Sequence, residues 1–279
     1  MPYRSQLEAR IAKRATQAIT EFGLIEDGDR VLVAVSGGKD SWTLLQILDE
    51  LRRRAPIRFS LSAVNVDSGQ PDYRHDLVAA ECQRRSWPCR VVPTRIAELI
   101  DELLEADQTP CSLCGRFRRG VLYRVAKEEG ATKIALGHHA DDCMETLLLN
   151  LFFEGCLKAM PARLVADTTG QVVIRPLVYV SEADTSAYAR ACGFPVVSCC
   201  CRACGDLSLQ RQRVKRLIFD LDREHPGVRA SILRALRNVV GSHLLDPRLH
   251  PLARVTSPAA DALAVRLRPG PADGEVVDS

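Results

Sequence analysis

Two groups of residues in this chain have the types and the spacing to do chemistry. The first is Ser36-Gly37-Gly38-Lys39-Asp40-Ser41. Two adjacent glycines let a backbone turn tightly and approach a ligand without Cβ interference. A helical pattern follows at once (Trp42, Leu44, Leu45, Ile47, Leu48, Leu51), so the run sits at a helix N-terminus. Free N–H groups, two hydroxyls and a lysine at such a place are suited to hold phosphate. The spacing fits neither the Walker A loop nor the GxGxxG dinucleotide fingerprint. A ligand-free glycine turn is the plain alternative, and the agreement of all six residues with both flanking elements disfavours it. The second group is made of thiols. Cys111-Ser112-Leu113-Cys114 opens a basic helical stretch, and Cys199-Cys200-Cys201-Arg202-Ala203-Cys204-Gly205 lies far downstream. A lone Cys-x-x-Cys could be a redox pair. Two such units read as a metal site built from distant parts of the chain, with zinc or an iron–sulfur cluster as occupant. From spacing alone zinc is the commoner outcome, and a zinc that only staples the C-terminal segment is the structural alternative.

These residues need elements to hold them. Val31-Leu32-Val33-Ala34-Val35 reads as a fully buried parallel strand feeding the glycine loop. Further strands are predicted at 59–67, 90–93, 133–137 and 172–174. Helices are predicted at 7–22, 73–85, 96–104, 115–129, 141–153, 183–192, 209–223 and 228–240. Alternation of the two predicts an α/β fold with a doubly wound, mostly parallel sheet and helical N- and C-terminal additions. Asn65 and Asp67 would then lie at the carboxyl edge of the second strand, where open sheets bind ligands. Residues 251–279, rich in Ala, Pro and Gly, read as a mostly disordered tail.

Bulk properties narrow the class. The chain has 279 residues, a formal net charge of +3 and eleven cysteines. That charge neither requires nor excludes a nucleic-acid partner. No apolar run approaches a membrane span, and Met1 to Lys13 lacks a signal-peptide core, so no membrane partner and a cytoplasmic location are expected. An odd cysteine total without a secretory signal disfavours a disulfide framework. Cys82, Cys89, Cys143, Cys156 and Cys192 are expected to act as small buried hydrophobes.

Ser-Gly-Gly-x-Asp-Ser resembles the pyrophosphate loop of the N-type ATP pyrophosphatases. With it come Cys111 to Tyr123, Ala135-Leu136-Gly137-His138-His139-Ala140-Asp141-Asp142, Ile174-Arg175-Pro176-Leu177, Phe194-Pro195-Val196-Val197 and Leu209-Gln210-Arg211-Gln212. This series is similar to the tRNA 2-thiocytidine synthetases, and the resemblance runs from about Glu21 to Leu245. It implies an adenine nucleotide alpha hydrolase-like domain over 25–195 carrying the Cys-x-x-Cys insertion. An N-terminal helix over 1–24 would precede it. A C-terminal cysteine cluster with helices over 196–250 would complete the site, followed by the tail.

The resemblance further implies ATP-dependent thiolation of cytidine at position 32 in the tRNA anticodon loop, by adenylation of the C2 oxygen and delivery of sulfide. Ser36, Gly37, Gly38, Lys39, Asp40 and Ser41 would hold the phosphates of ATP. Asp40 and Asp142 would orient Mg²⁺ or act on the reacting groups. A [4Fe–4S] cluster would be held by three cysteines: Cys111, Cys114 and a downstream ligand. Cys204 matches best, because Gly205 and the Leu-Gln-Arg helix follow it. The chain has four cysteines where the family pattern has two, so Cys201 stays open as an alternative, with Cys199 and Cys200 behind it. The family often carries Arg where this chain has Ala140. Arg118, Arg119, Arg211, Arg213, Lys215 and Arg216 are candidates for RNA contact. A sulfur donor such as a cysteine desulfurase and a homodimer are also implied. The competing readings are a 2-thiouridine synthetase of the same superfamily and a zinc-stapled, non-catalytic RNA-binding protein.

Overall fold

The computed structural model describes residues 3–104, 110–167, 169–197 and 209–249. In chain order its elements are α1 (Gln6–Glu21), β1 (Arg30–Ala34), α2 (Lys39–Arg52), β2 (Ser60–Asp67), α3 (His75–Arg84), β3 (Cys89–Pro93), α4 (Ile96–Leu103), α5 (Pro110–Glu128), β4 (Lys133–Ala135), α6 (Ala140–Leu149), β5 (Arg163–Val165), β6 (Val172–Ile174), α7 (Glu182–Ala191), α8 (Gln210–Glu224) and α9 (Val228–Ala235). Residues to Leu233 form one compact unit, and those from Arg234 a second with two short 3₁₀ turns, Gly241–His243 and Pro247–Leu249.

The strands lie in the order β3-β2-β1-β4-β6-β5. All neighbours are parallel except β5 with β6. Val31, Leu32 and Val33 are buried on both faces of the central strand, which is why β1 reads as an unbroken apolar run rather than an alternating one. The connections out of β1 lead to β2 on one side and, later in the chain, to β4 on the other. The crevice beyond the carboxyl ends of β1 and β4 is therefore the topological switch point, where open α/β sheets bind ligands.

Three departures from the sequence expectation have local causes. The helix after β4 leaves α-geometry at Asn150 and continues as a π-helical turn, Asn150–Glu154. There the Asn150 amide donates to the carbonyls of Thr146 and Lys158, and Gly155 closes the turn with φ +61°. Strand β5 is three exposed residues paired only along one edge, too short for an alternating pattern to show. Helix α5 starts at Pro110, so the Cys-x-x-Cys unit lies within its first turns. Among the described residues no helix is long and apolar enough to cross a membrane.

Candidate active site

The loop after β1 is built as its residue types require. Gly37 has φ +80°, and a Cβ there would come within 3.0 Å of Val197 Cβ and Val78 Cγ2. Its carbonyl accepts the Val197 amide at 2.9 Å. Gly38 caps α2 with no side-chain acceptor for the first-turn N–H groups, which leaves those donors to a ligand. Ser41 donates to the Gly38 carbonyl at 2.8 Å, and its hydroxyl lies 3.4 Å from that of Ser36. Lys39 Nζ lies 2.8 Å from Asp40 Oδ2 and 3.2 Å from Glu182 Oε1. Burial would lower the Lys39 pKa, but those two carboxylates more than offset it and the group is held above its usual value.

From β4 the chain enters α6 through Gly137-His138-His139. A Cβ on Gly137 would stand 3.0 Å from the carbonyl carbon of Asp40 and the amide nitrogen of Ser41, so glycine lets the two strand-end loops touch backbone to backbone. His139 caps α6 in a reciprocal box: its ring accepts the Asp142 amide at 3.4 Å, and Asp142 Oδ2 accepts the His139 amide at 2.9 Å. His139 Nε2 also stands 3.7 Å from Asp40 Oδ1. The neighbouring His138 accepts from Arg175 Nε at 3.3 Å through Nδ1. Burial, opposed by Asp142 and reinforced by Arg175 and Arg211, pushes the His138 pKa down to about 4. That ring is neutral at physiological pH.

A cavity of about 350 Å³ opens at this switch point. Ser36, Asp40, Ser41, Gly137, His138 and Asp142 line its polar side, while Ala34, Val35, Val64, Val66, Leu122 and Leu136 form an apolar wall. Asn65 is fully buried beside it. Its amide donates to the Val35 carbonyl at 2.7 Å and the Tyr73 hydroxyl at 2.5 Å, and its Oδ1 has no hydrogen-bond partner. Asp67 instead caps the turn at Gly69 and pairs with His75.

The remaining wall comes from the cysteine helix. Arg118 and Leu122 of α5 line the cavity, and Arg118 Nε is buried without a partner. Cys111, Cys114, Arg118 and Leu122 are spaced three, four and four apart along α5, which puts them on one face of a helix. Cys114 is thus about 6 Å along the axis from Arg118, at 1.5 Å per residue.

The PP-loop domain family matches residues 7–219 of the chain. A tRNA-cytidine(32) 2-sulfurtransferase of Geobacter metallireducens is 49% identical over 246 residues, which is 88% of this chain and 96% of that protein. The chain belongs to the tRNA-cytidine(32) 2-sulfurtransferase family. A sulfurtransferase of the same name from Syntrophotalea carbinolica is 51% identical over 244 residues, covering 88% of this chain and 94% of that one. Among solved structures, the U34-tRNA thiolase NcsA from Methanococcus maripaludis, determined with its [4Fe–4S] cluster, superposes with a TM-score of 0.65. The identity is 23%, over 84% of this chain and 80% of that one, a likeness of fold.

For a member of this sulfurtransferase family the two described thiols fit a cluster by chemistry. Neither is in a disulfide, they sit one turn apart, and thiolates are the ligands that iron–sulfur clusters take. Cys199, Cys200, Cys201 and Cys204 lie outside the described residues, as do residues 251–279. Among the described residues no three His, Cys, Asp or Glu side chains gather as a metal site. Of the remaining cysteines, Cys82 and Cys143 are buried as expected, Cys89 and Cys192 are half-buried, and Cys156 is exposed.

Several contacts around the candidate site carry no signature in the sequence. Thr185 donates to Asp40 Oδ1 at 2.5 Å, and Glu182 reaches Lys39, both from the first turn of α7. Arg211 lies 3.5 Å from Asp142 and 3.2 Å from Glu145, and Arg229 pairs with Asp141. Where Ala140 provides no cation, α8 and α9 thus place guanidiniums beside the acidic start of α6. Of the four basic α8 residues expected to meet RNA, Arg211 and Lys215 are engaged by these internal carboxylates, while Arg213 and Arg216 are exposed.

Proposed function

We propose that this protein thiolates C2 of cytidine 32 in the anticodon loop of tRNA, activating the base with ATP. The single observation carrying this reading is the cavity that joins the phosphate loop (Ser36, Asp40, Ser41) and Asp142 to Arg118 of the cysteine helix. Activation and sulfur delivery then work on one carbon from two walls of one space.

The amides at the start of α2 and the hydroxyls of Ser36 and Ser41 bind the phosphates. Asp40 and Asp142, both on the cavity wall, would orient Mg²⁺ through oxygen ligands. The cytosine O2 attacks the α-phosphorus; a P–O bond forms and the bond to pyrophosphate breaks. Lys39 offsets the charge that grows on the leaving pyrophosphate. The product is an AMP ester, whose leaving group is far better than the original oxygen. Cys111 and Cys114, with Cys204, would hold a [4Fe–4S] cluster, and that group would supply sulfide for displacement of AMP. The apolar wall excludes water from the ester. A cysteine desulfurase as sulfur donor, a homodimer and a cytoplasmic location belong to the same reading.

Mass spectrometry of tRNA nucleosides from a strain lacking the protein tests it. The expected result is loss of 2-thiocytidine with 2-thiouridine retained, restored by the wild-type chain and not by Cys114→Ser. Loss of 2-thiouridine alone would overturn the cytidine assignment.

A further inference from the structure

Three helices converge on one carboxylate that the chemistry above does not use. Glu182 is the first residue of α7, and its side chain stands 3.2 Å from Lys39 Nζ on α2 and 2.7 Å from Lys215 Nζ on α8. Its backbone is fixed, because its amide donates to Asp141 Oδ2 at 2.7 Å. Although burial alone would raise its pKa, Lys215 and Lys39 hold the carboxyl down at about 2. It is therefore ionised throughout the physiological range. One turn away on α8, Arg211 faces Asp142 and Glu145. Val214 and Ile218 of the same helix pack on Met144.

We propose that Glu182 is a positioning residue that couples nucleotide binding at the phosphate loop to the docking of α8. This rests on reading Ser36–Ser41 as an ATP site. In the structure one negative charge serves two lysines. ATP phosphates carry more charge than a single carboxylate and compete for Lys39. As Lys39 turns to them, Glu182 serves Lys215 alone, and the α7–α8 pair tightens. Coupling of this kind is reciprocal: whatever orders α8 raises the affinity for ATP by the same factor. The outer side of α8 exposes Arg213 and Arg216, cations suited to RNA phosphates, so the helix that ATP orders is also one that can meet the substrate.

Amide hydrogen exchange on the full chain, with calorimetry to measure ATP binding, tests the proposal. In the wild type, ATP is expected to slow exchange across 210–224 by about two- to fivefold, the low end for a coupling through one partly exposed pair. Exchange in α1 serves as the internal reference. Glu182→Gln is expected to bind ATP and lose the α8 protection, and Lys215→Gln, a half-exposed position, should do the same without disturbing the loop. Full ATP-dependent protection in both variants would overturn the proposal. So would a wild type that binds ATP without any change in α8. A wild type that binds no ATP would instead bring down the reading of the loop.

Discussion

The hydroxyl of Thr185 donates to Asp40 Oδ1 at 2.5 Å across 145 residues of chain, and its oxygen lies 3.0 Å from the Glu182 carbonyl. The loop carboxylate is thereby held from α7, outside its own strand-loop-helix unit. Thr185→Val keeps the shape and removes the donor. We expect it to cost at most about 1.5–3 kcal/mol of stability, as for a hydrogen bond to a charged group, and to raise the KM for ATP more than it lowers kcat. Thr185→Ser should behave close to wild type in both. A Thr185→Val enzyme with unchanged KM would show that Asp40 needs no such support.

Asp142 caps α6 with His139, and that contact and the metal-orienting role proposed above have separate tests. Asp142→Asn keeps an oxygen for the His139 amide but loses the charge. The helix cap should survive, leaving the thermal midpoint within a few degrees, while adenylation measured by pyrophosphate release should fall by about 100-fold or more, as for a group acting on the reacting atoms. Equal loss of fold and activity would count against a chemical role.

Gly37→Ala meets strain and contact together. The left-handed φ costs a non-glycine residue roughly 1–2 kcal/mol, and the new methyl would press on Val78 and Val197 at 3.0 Å. ATP binding by calorimetry should weaken at least tenfold. Adding Val78→Ala should recover part of that loss, since it deletes the Cγ2 that makes one of the two 3.0 Å contacts; no recovery would place the effect in the backbone and the Val197 contact.

His138 makes stability depend on pH in a defined window. Its folded pKa is about 4, against an ordinary value of 6.5, so between these values the unfolded chain binds the proton that the folded chain refuses. The contribution is fully present above pH 6.5 and is lost as pH falls through 4, with an upper limit of about 3 kcal/mol. Glu182 stays ionised down to about 2, so its ion pairs persist across most of that range. Urea midpoints measured from pH 7 to 4 should fall in the wild type and fall less in His138→Gln.

Anaerobically purified protein should be brown, with iron and sulfide near about four each per chain. Cys111→Ser and Cys114→Ser should be colourless and still folded, since both thiols lie on an outer stretch of α5 away from its buried residues, Leu122, Val125 and Ala126. Exposed Cys156 replaced by Ser should leave iron content unchanged. Colourless wild-type protein containing zinc would overturn the cluster.

Much of the site was legible because its signals are local. A five-residue apolar strand, a glycine pair and a helix start are contiguous, so Ser36 to Ser41 could be placed without knowing the rest of the fold. The doubly wound, mostly parallel sheet followed from alternation alone, whereas the order of its strands did not. What stayed hidden depends on contacts between distant segments. Thr185 and Glu182 lie on an ordinary capped helix, and nothing in Ser181-Glu182-Ala183-Asp184-Thr185 announces that it faces Lys39 and Asp40. Arg211 and Lys215 look like a solvated basic stripe until Asp142, Glu145 and Glu182 are seen opposite them. Strand β5 pairs along one edge only, and three exposed residues carry no periodic signal.

The aromatic packing behind the loop has an optical consequence. The chain has two tryptophans, and they lie 6.3 Å apart. Trp42 stacks on Phe194 at 5.5 Å and donates to the Pro195 carbonyl, two residues before the Val197 amide that holds Gly37. Both indoles therefore emit from one cluster around Phe194, with Trp42 on the helix that follows the phosphate loop and Trp87 packed beside it, against the strap that fastens the loop. Ultraviolet fluorescence of the unlabelled protein is a direct gauge of how that strap responds to nucleotide.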